Sequence, residues 1–113
     1  MAEPGYLGEF EQLVLLAVLQ ADQTNARAYG TTVFDVLVAR TDRRIARGAV
    51  YMTLDRLETK GLLTSFASAP IPLRGGRTRR CYSVTKRGMA ALHASRSALV
   101  EMWSGLAGFE PIR

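Results

Sequence analysis

Apolar side chains recur at helical spacing in three stretches of the first sixty residues. In the first stretch, Phe10, Leu13, Val14, Ala17 and Val18 are three or four residues apart, which predicts a helix over residues 9–21. The turn-forming residues that follow it end this helix. The first predicted element is therefore an amphipathic helix with one stripe for a core.

A second helix is predicted after a short polar break. Thr31 or Thr32 can cap its start, and its apolar stripe ends just before Arg40, a residue type that suits a helix C-terminus. These features predict a compact helix in tandem with the first one.

The third predicted helix runs from about residue 47 to residue 60 and is also amphipathic. Val50, Leu54 and Leu57 are spaced at i, i+4 and i+7, so they share one side, and Gly61 is a typical helix stop. Three short helices therefore precede any strand.

Two strands and a long helix complete the pattern. Residues 63–67 and 80–84 are typical of strands, and the proline and glycine residues between them predict a long hairpin loop. Thr85 then caps a helix over residues 86 to about 105. Three helices followed by a two-stranded hairpin predict an α+β fold, mainly α, of the winged helix-turn-helix class.

Positive charge is concentrated in the second half of the chain. The net charge is +5, and residues 59–100 contain eight basic side chains and no acidic one. A block of one sign is typical of proteins that bind a polyanion, most commonly nucleic acid. Four of these side chains lie in or beside the hairpin loop with two glycines, which predicts a wing tip that contacts phosphates. The alternative is a solvated basic loop without a partner.

The third helix is the predicted recognition helix. Because the first half of such a helix makes most base contacts, we expect Arg47, Tyr51 and Met52 to read DNA and Gly48 to allow close approach. For Tyr51 and Met52 the alternative is packing in the core or on the second helix. With the wing, the predicted DNA-binding residues are Arg47, Gly48, Tyr51, Met52, Arg56, Arg74, Arg77 and Arg79.

The last helix has an apolar seam that a domain of this size cannot cover alone. Its members recur at three- and four-residue steps, the spacing of a coiled coil, and are Met89, Leu92, Arg96, Leu99, Trp103 and Leu106. We therefore interpret residues 86–108 as a dimerisation helix and residues 1–85 as the winged helix-turn-helix domain. The alternative is that the helix packs back on its own domain. A homodimer would place two recognition helices about one DNA turn apart and favour a pseudo-palindromic operator.

Trp103, the one tryptophan, has two interpretations. It is either a packing anchor in the dimer seam or a platform that stacks a small aromatic effector. Nothing in the pattern indicates catalysis, a cofactor or a metal site: His93 has no acidic or cysteine neighbour, and Cys81 is the only cysteine.

The remaining composition excludes other classes. With 48% hydrophobic and 22% charged residues the chain is ordinary for a globular domain, and no apolar run approaches the length of a membrane span. The first residues lack the pattern of a secretory signal. We expect no membrane association and a cytoplasmic location.

The residues resemble the PadR-like family of prokaryotic transcriptional regulators. The matching stretches span nearly the whole chain: residues 7–17, Ala28-Tyr29-Gly30, Gly48-Ala49-Val50-Tyr51 through Lys60-Gly61-Leu62, and Gly75-Gly76-Arg77 through Arg80-Cys81-Tyr82 to Thr85 and Gly88. The length resembles short members with a single C-terminal dimerisation helix.

The resemblance implies a homodimeric repressor that binds an operator and releases it when a small molecule binds. It also implies DNA contacts at the start of the second helix, from Tyr29, Thr31 and Thr32. Two threonines stand where relatives often have a second tyrosine, and Arg47 stands where many have proline. The competing hypothesis is a winged-helix module that binds a protein or RNA partner without a specific operator.

Overall fold

The computed structural model describes residues 7–68 and 79–108 of the 113-residue chain. In chain order its elements are α1 (Glu9–Gln23), α2 (Gly30–Arg40), α3 (Arg47–Thr59), β1 (Leu63–Ala67), β2 (Arg80–Val84) and α4 (Lys86–Trp103). The fold is mainly helical with one two-stranded sheet, so the predicted fold class is confirmed. Both strands have the predicted bounds.

The apolar stripes of the helices meet in one core. In α3 the buried residues include the predicted Val50, Leu54 and Leu57, all fully buried. In α1 the buried set extends beyond the predicted stripe and includes Leu15. The reason is that α1 packs against α2, α3, β2 and α4, so more than one side of it is covered.

The start of α2 differs from the prediction. The N-cap residue is Tyr29, and no side chain caps the helix. Thr31 and Thr32 lie inside the first turn, so the prediction that one of them caps α2 is wrong. Their hydroxyls are therefore not positioned as helix caps.

Backbone pairing with β2 sets the start of α2 instead. The amide of Tyr82 donates to the carbonyl of Ala28 over 3.0 Å, and Tyr29 forms an isolated antiparallel bridge with Cys81. The segment that leads into α2 thus lies beside the sheet, and α2 begins where this pairing stops.

The turn after α3 leads directly into the hairpin. Gly61, the predicted stop, has a φ of +80°, a value that favours glycine. β1 and β2 then pair antiparallel, from Leu63 opposite Val84 to Ala67 opposite Arg80. The predicted wing tip, with Arg74 and Arg77, lies outside the described residues.

The start of α4 is fastened to the turn that follows α3. The predicted cap is confirmed: the Thr85 hydroxyl accepts from the amide of Gly88 over 3.0 Å, and it donates to the carbonyl of Gly61 over 2.8 Å. A Cβ atom at Gly88 would collide with the carbonyl oxygen of Leu62 and lie 2.8 Å from Val84. Only glycine lets α4 approach this closely.

The helix α4 ends at Trp103, two residues before its predicted end. Gly105 has a φ of +80°, which a helix does not accommodate. Leu106 therefore lies outside the helix and does not continue its seam. No helix among the described residues is long and apolar enough to cross a membrane.

Candidate nucleic-acid interface

One side of α3 is open to solvent along its first half. Met52 is 68% exposed, and a Cβ atom built at Gly48 would find no atom within 4 Å. We call this side, centred on Gly48, Met52 and Asp55, the exposed face of α3. This face is open to solvent because it is the opposite side of α3 that packs in the core.

Tyr51 contacts α2 and is also exposed. A Cβ atom at Gly30 would overlap the Tyr51 ring, with the Cζ atom only 2.9 Å away, so the ring lies directly on the backbone of α2. Packing on α2 was the alternative interpretation of this residue. Tyr51 nevertheless remains 40% exposed, and its contact with DNA stays a prediction.

Arg47, the first residue of α3, lies over an aromatic ring. Its guanidinium carbon is 4.3 Å from the centroid of Phe34 in α2, within the range of a cation–π interaction. Arg47 as a whole is exposed. Sequence reasoning selected Arg47 but not the ring beneath it.

Arg56 lies at the opposite end of α3 and faces α1. Its Nε atom is 3.5 Å from Oε2 of Glu11, and its guanidinium donates to the Thr53 hydroxyl over 3.3 Å. Lys60 contacts the same Glu11 oxygen at 2.8 Å. These contacts hold the end of α3 against α1, and a DNA contact from Arg56 stays a prediction.

The Glu11 carboxyl is the centre of this charge cluster. Burial raises its pKa, but hydrogen bonds from Lys60 and from the Gly8 amide, together with the charges of Lys60 and Arg56, outweigh burial. The net pKa of Glu11 lies below its usual value. The carboxylate therefore stays charged at neutral pH and binds both cations.

The base of the hairpin carries two anchored arginines. The Arg79 guanidinium carbon lies 4.0 Å from the centroid of the Tyr29 ring, which joins two predicted DNA-binding residues. Arg80 donates to the Ser65 hydroxyl over 2.9 Å, and this hydroxyl donates to Glu58 over 2.6 Å. Of the predicted threonines at the start of α2, Thr31 is exposed and Thr32 is half-buried.

The two acidic residues of α3 near the sheet are Asp55 and Glu58. Burial raises the pKa of Tyr82 in β2, and the charges of Asp55 and Glu58 raise it further. The hydrogen bond from Ser65 places Glu58 on the side of α3 that faces the hairpin, whereas Asp55 is exposed. This placement bears on DNA binding because a carboxylate close to a phosphate would be repelled.

A second exposed surface lies between α1 and α4 and is mostly apolar. We call it the α1–α4 groove; its volume is about 250 Å³, and it is lined by Gln12, Leu16, Leu19, Met89, Leu92, His93, Arg96, Leu99 and Val100. Four predicted seam residues are therefore brought together here. Sequence reasoning missed Leu16 and Leu19, although two extra apolar residues beside the α1 stripe were a signal.

The two halves of α4 differ in how they contact the rest of the domain. Its first half packs on its own domain: Leu92 is buried, and Ser95 accepts a hydrogen bond from the Leu7 amide over 3.1 Å. Its second half is open, with Leu99 50% and Met102 74% exposed, and Trp103 is exposed by 40%. The predicted seam is thus available only in part.

No metal or thiol site is found in the described part of the chain. Residues 7–68 and 79–108 contain no group of three or more histidine, cysteine or acidic residues that could hold a metal ion. Cys81 is buried in β2 and His93 is exposed in the α1–α4 groove.

Three helices, an antiparallel hairpin and an open face on the third helix define a winged helix-turn-helix protein. The model of the PadR-like transcriptional regulator family matches residues 15–94, which is most of the chain. The chain belongs to this family of transcriptional regulators, as its sequence predicted. Regulators of this family bind DNA and are not normally enzymes.

Individual relatives agree with this assignment. The chain is 42% identical over 65 residues to the transcriptional regulator Rv3488 of Mycobacterium tuberculosis, a match that covers 58% of this chain and 57% of that protein. The chain is similar to the structure of a PadR-like transcription factor from Bacteroides fragilis, with a TM-score of 0.66, 22% identity and 82% of each chain covered.

The fold also occurs in a larger protein. The structure of the Aeropyrum pernix ORC1 protein in complex with DNA matches with a TM-score of 0.60 and 16% identity, covering 82% of this chain and 25% of that one. At this level of identity the likeness shows the fold alone.

Proposed function

We propose that the chain acts as a homodimeric transcriptional repressor that binds a pseudo-palindromic DNA operator. The observation that carries the proposal is the exposed face of α3. Its helix is fixed in the core by fully buried Leu54 and Leu57, while Gly48 and Met52 on the opposite side are open. A helix that inserts into a major groove presents its open side to the base edges.

The charges around this face support DNA as the ligand. Arg47 lies at the start of α3, and Arg79 lies at the base of the hairpin, each held over an aromatic ring. The Aeropyrum pernix ORC1 protein, which shares the fold, is described in complex with DNA. The proposed contacts are Tyr29, Thr31, Thr32, Arg47, Gly48, Tyr51, Met52, Arg56 and Arg79, with Arg74 and Arg77 from the loop.

The α1–α4 groove supports the dimer. Leu16 of α1 and Leu99 of α4 are each at least 44% exposed, and an apolar surface of this kind is stabilised when a second surface covers it. A two-fold axis would bring the same groove of two copies together. Leu92 contributes less than its sequence position indicates because it is already buried.

Selection of DNA from a random duplex pool with the purified protein, at near-physiological salt, tests the proposal. An enriched inverted repeat with half-sites about one helical turn apart is the expected result. A folded dimer that enriches no sequence, while still binding duplexes in a strongly salt-dependent way, would instead favour the interaction module, because phosphate contacts carry no sequence information.

We further propose that Trp103 stacks a planar aromatic effector that releases the operator. The support is its 40% exposure next to the open end of α4. Titration of a panel of planar aromatic compounds, followed by tryptophan fluorescence, should identify compounds that quench the emission and weaken operator binding. Unchanged emission across a chemically broad panel would contradict the effector site.

A further inference from the structure

Two side chains of α3 contact residues of α2, and on each helix the contacting residues are four positions apart. Gly30 of α2 receives the Tyr51 ring, and Phe34, four residues later, lies under Arg47, four residues earlier in α3. Residues four apart share one face of a helix. One face of α2 therefore contacts two side chains that the sequence predicts to bind DNA.

Arg47 occupies an electrostatically unfavourable position. It is the first residue of α3, and the N-terminus of a helix carries a partial positive charge that repels cations. A free arginine there would extend into solvent and sample many rotamers. The Phe34 ring provides the counter-attraction, at 4.3 Å from the guanidinium carbon.

The ring leaves the hydrogen-bonding capacity of Arg47 intact. A cation–π contact uses the face of the aromatic ring and none of the five N–H donors of the guanidinium. Within residues 7–68 and 79–108, Arg47 forms no hydrogen bond or ion pair. The donors stay available for a phosphate or for the O6 and N7 atoms of guanine.

We propose that Phe34 is a positioning residue for DNA recognition, whose ring holds the Arg47 guanidinium beside the exposed face of α3. Phe34 is half-buried and packs against the core, so the ring itself is fixed. Arg47 thus loses less rotamer freedom when DNA binds. The inference rests on the proposed function, because it assigns a role within the same DNA-binding surface.

A double-mutant cycle tests the proposal with the full chain. The probe is the duplex enriched by selection, or a random-sequence duplex of the same length if none is enriched, and affinity is measured by fluorescence anisotropy over a range of salt concentrations. Phe34→Leu should weaken binding by about 2- to 5-fold, the equivalent of one exposed cation–π contact. In an Arg47→Gln background, Phe34→Leu should have no further effect.

Matched variants separate positioning from packing. Phe34→Tyr keeps an aromatic ring and should retain wild-type affinity. Val36→Ala removes an apolar side chain of the same helix that also packs on the core, so it should lower the unfolding temperature without changing DNA affinity. Loss of affinity in Val36→Ala equal to that in Phe34→Leu would overturn the proposal, since both would then act through stability.

A measurement on the free protein helps to distinguish failure of this inference from failure of the proposed function. In NMR spectra of the free protein, the Arg47 side-chain protons should be shifted upfield by the ring and should return to ordinary positions in Phe34→Leu. Wild-type protein that binds no duplex would overturn the proposed function and this inference together. Wild-type binding that Phe34→Leu leaves unchanged in affinity and salt dependence would overturn the inference alone.

Discussion

The helices α3 and α4 each bury one side and expose another, but the exposed sides differ in chemistry. Arg47 lies beside the exposed face of α3 and Arg79 lies at the base of the hairpin, whereas the second half of α4 exposes Leu99 and Met102. A charged surface gains from a polyanion, and an apolar one gains from a second apolar surface. This difference is the reason why we propose two partners, nucleic acid at α3 and a second copy of the chain at α4.

The buried sides differ in a related way. The side of α3 in the core uses large residues such as Leu54 and Leu57. In the first half of α4 three of the four buried residues are small, Gly88, Ala91 and Ser95, and the fourth is Leu92. Small residues let α4 lie close to its own domain, and beyond Ser95 the helix has no fully buried residue. The buried side of α3 thus continues along most of the helix, whereas α4 has buried residues only in its first half.

The largest expected effect is at the apolar surface of α4. Leu99→Glu should raise the dissociation constant of the dimer by about 100-fold or more, because it places a carboxylate without a partner in an apolar contact. Sedimentation velocity over a range of protein concentrations measures this. The folded monomer should persist, since Leu99 is half exposed within one chain.

Ser97→Glu is the matched control for Leu99→Glu. Ser97 is exposed on the opposite side of α4, so the same charge there should leave the dimer intact. Equal dissociation of both variants would mean that charge on α4 in general, and not the groove, controls assembly. In that case the apolar surface of α4 would not be what holds the dimer together.

A smaller effect is expected at the charged surface. Changing Arg77 and Arg79 together to alanine should weaken binding to all duplexes by roughly 10-fold and lower the magnitude of the salt slope by up to about 2 per subunit, because fewer counterions are released when phosphate contacts are lost. Fluorescence anisotropy at several salt concentrations gives both quantities. If this variant kept the wild-type salt slope and DNA affinity, the hairpin would not be part of the DNA interface.

The smallest effect concerns the pH dependence of stability at the end of α3. The pKa of Glu11 is lowered in the folded state, so its contribution is present above the unfolded value of about 4.5 and is lost as the pH falls through the folded pKa. Glu11→Gln should lower the unfolding free energy by up to about 1 kcal/mol at pH 7. It should also flatten the loss of stability below pH 4.5, as measured by urea unfolding from pH 7 to pH 3.

Glu9→Gln is the comparison for this prediction. The hydrogen bond from Arg43 and its charge lower the pKa of Glu9 as well, but both side chains of this pair are largely exposed. Solvent screens such a pair, so its loss should change stability less than the loss of Glu11. A larger effect at Glu9 would show that burial does not strengthen the Glu11 cluster.

Much of the fold was predictable because local patterns and tertiary packing agree. The stripe of Val50, Leu54 and Leu57 and the stop at Gly61 are fixed by helical periodicity and by backbone preference, and both were confirmed. The predicted caps illustrate the limit. Thr85 caps α4, but Thr31 and Thr32 do not cap α2, because pairing with β2 places the helix start earlier.

The residues of the candidate site were predicted from the sequence, but the contacts that hold them in place were not. Sequence reasoning selected Tyr51 and Arg47 from the helical wheel, whereas the Gly30 and Phe34 contacts depend on how α2 crosses α3. Likewise Leu16 belongs to the α1–α4 groove only because α4 lies beside α1. Such contacts join residues distant in sequence, which periodicity alone does not encode.

The sequence by itself determined the order of elements, the buried stripes, the block of positive charge and the family. These properties follow from local periodicity, turn chemistry and composition. Only the tertiary structure decided which exposed residues share a surface, that Arg47 lies over Phe34, and that the seam of α4 is free only beyond its first half. The physical reason is that side-chain neighbours across helices are set by packing of the whole core, and no single segment contains that information.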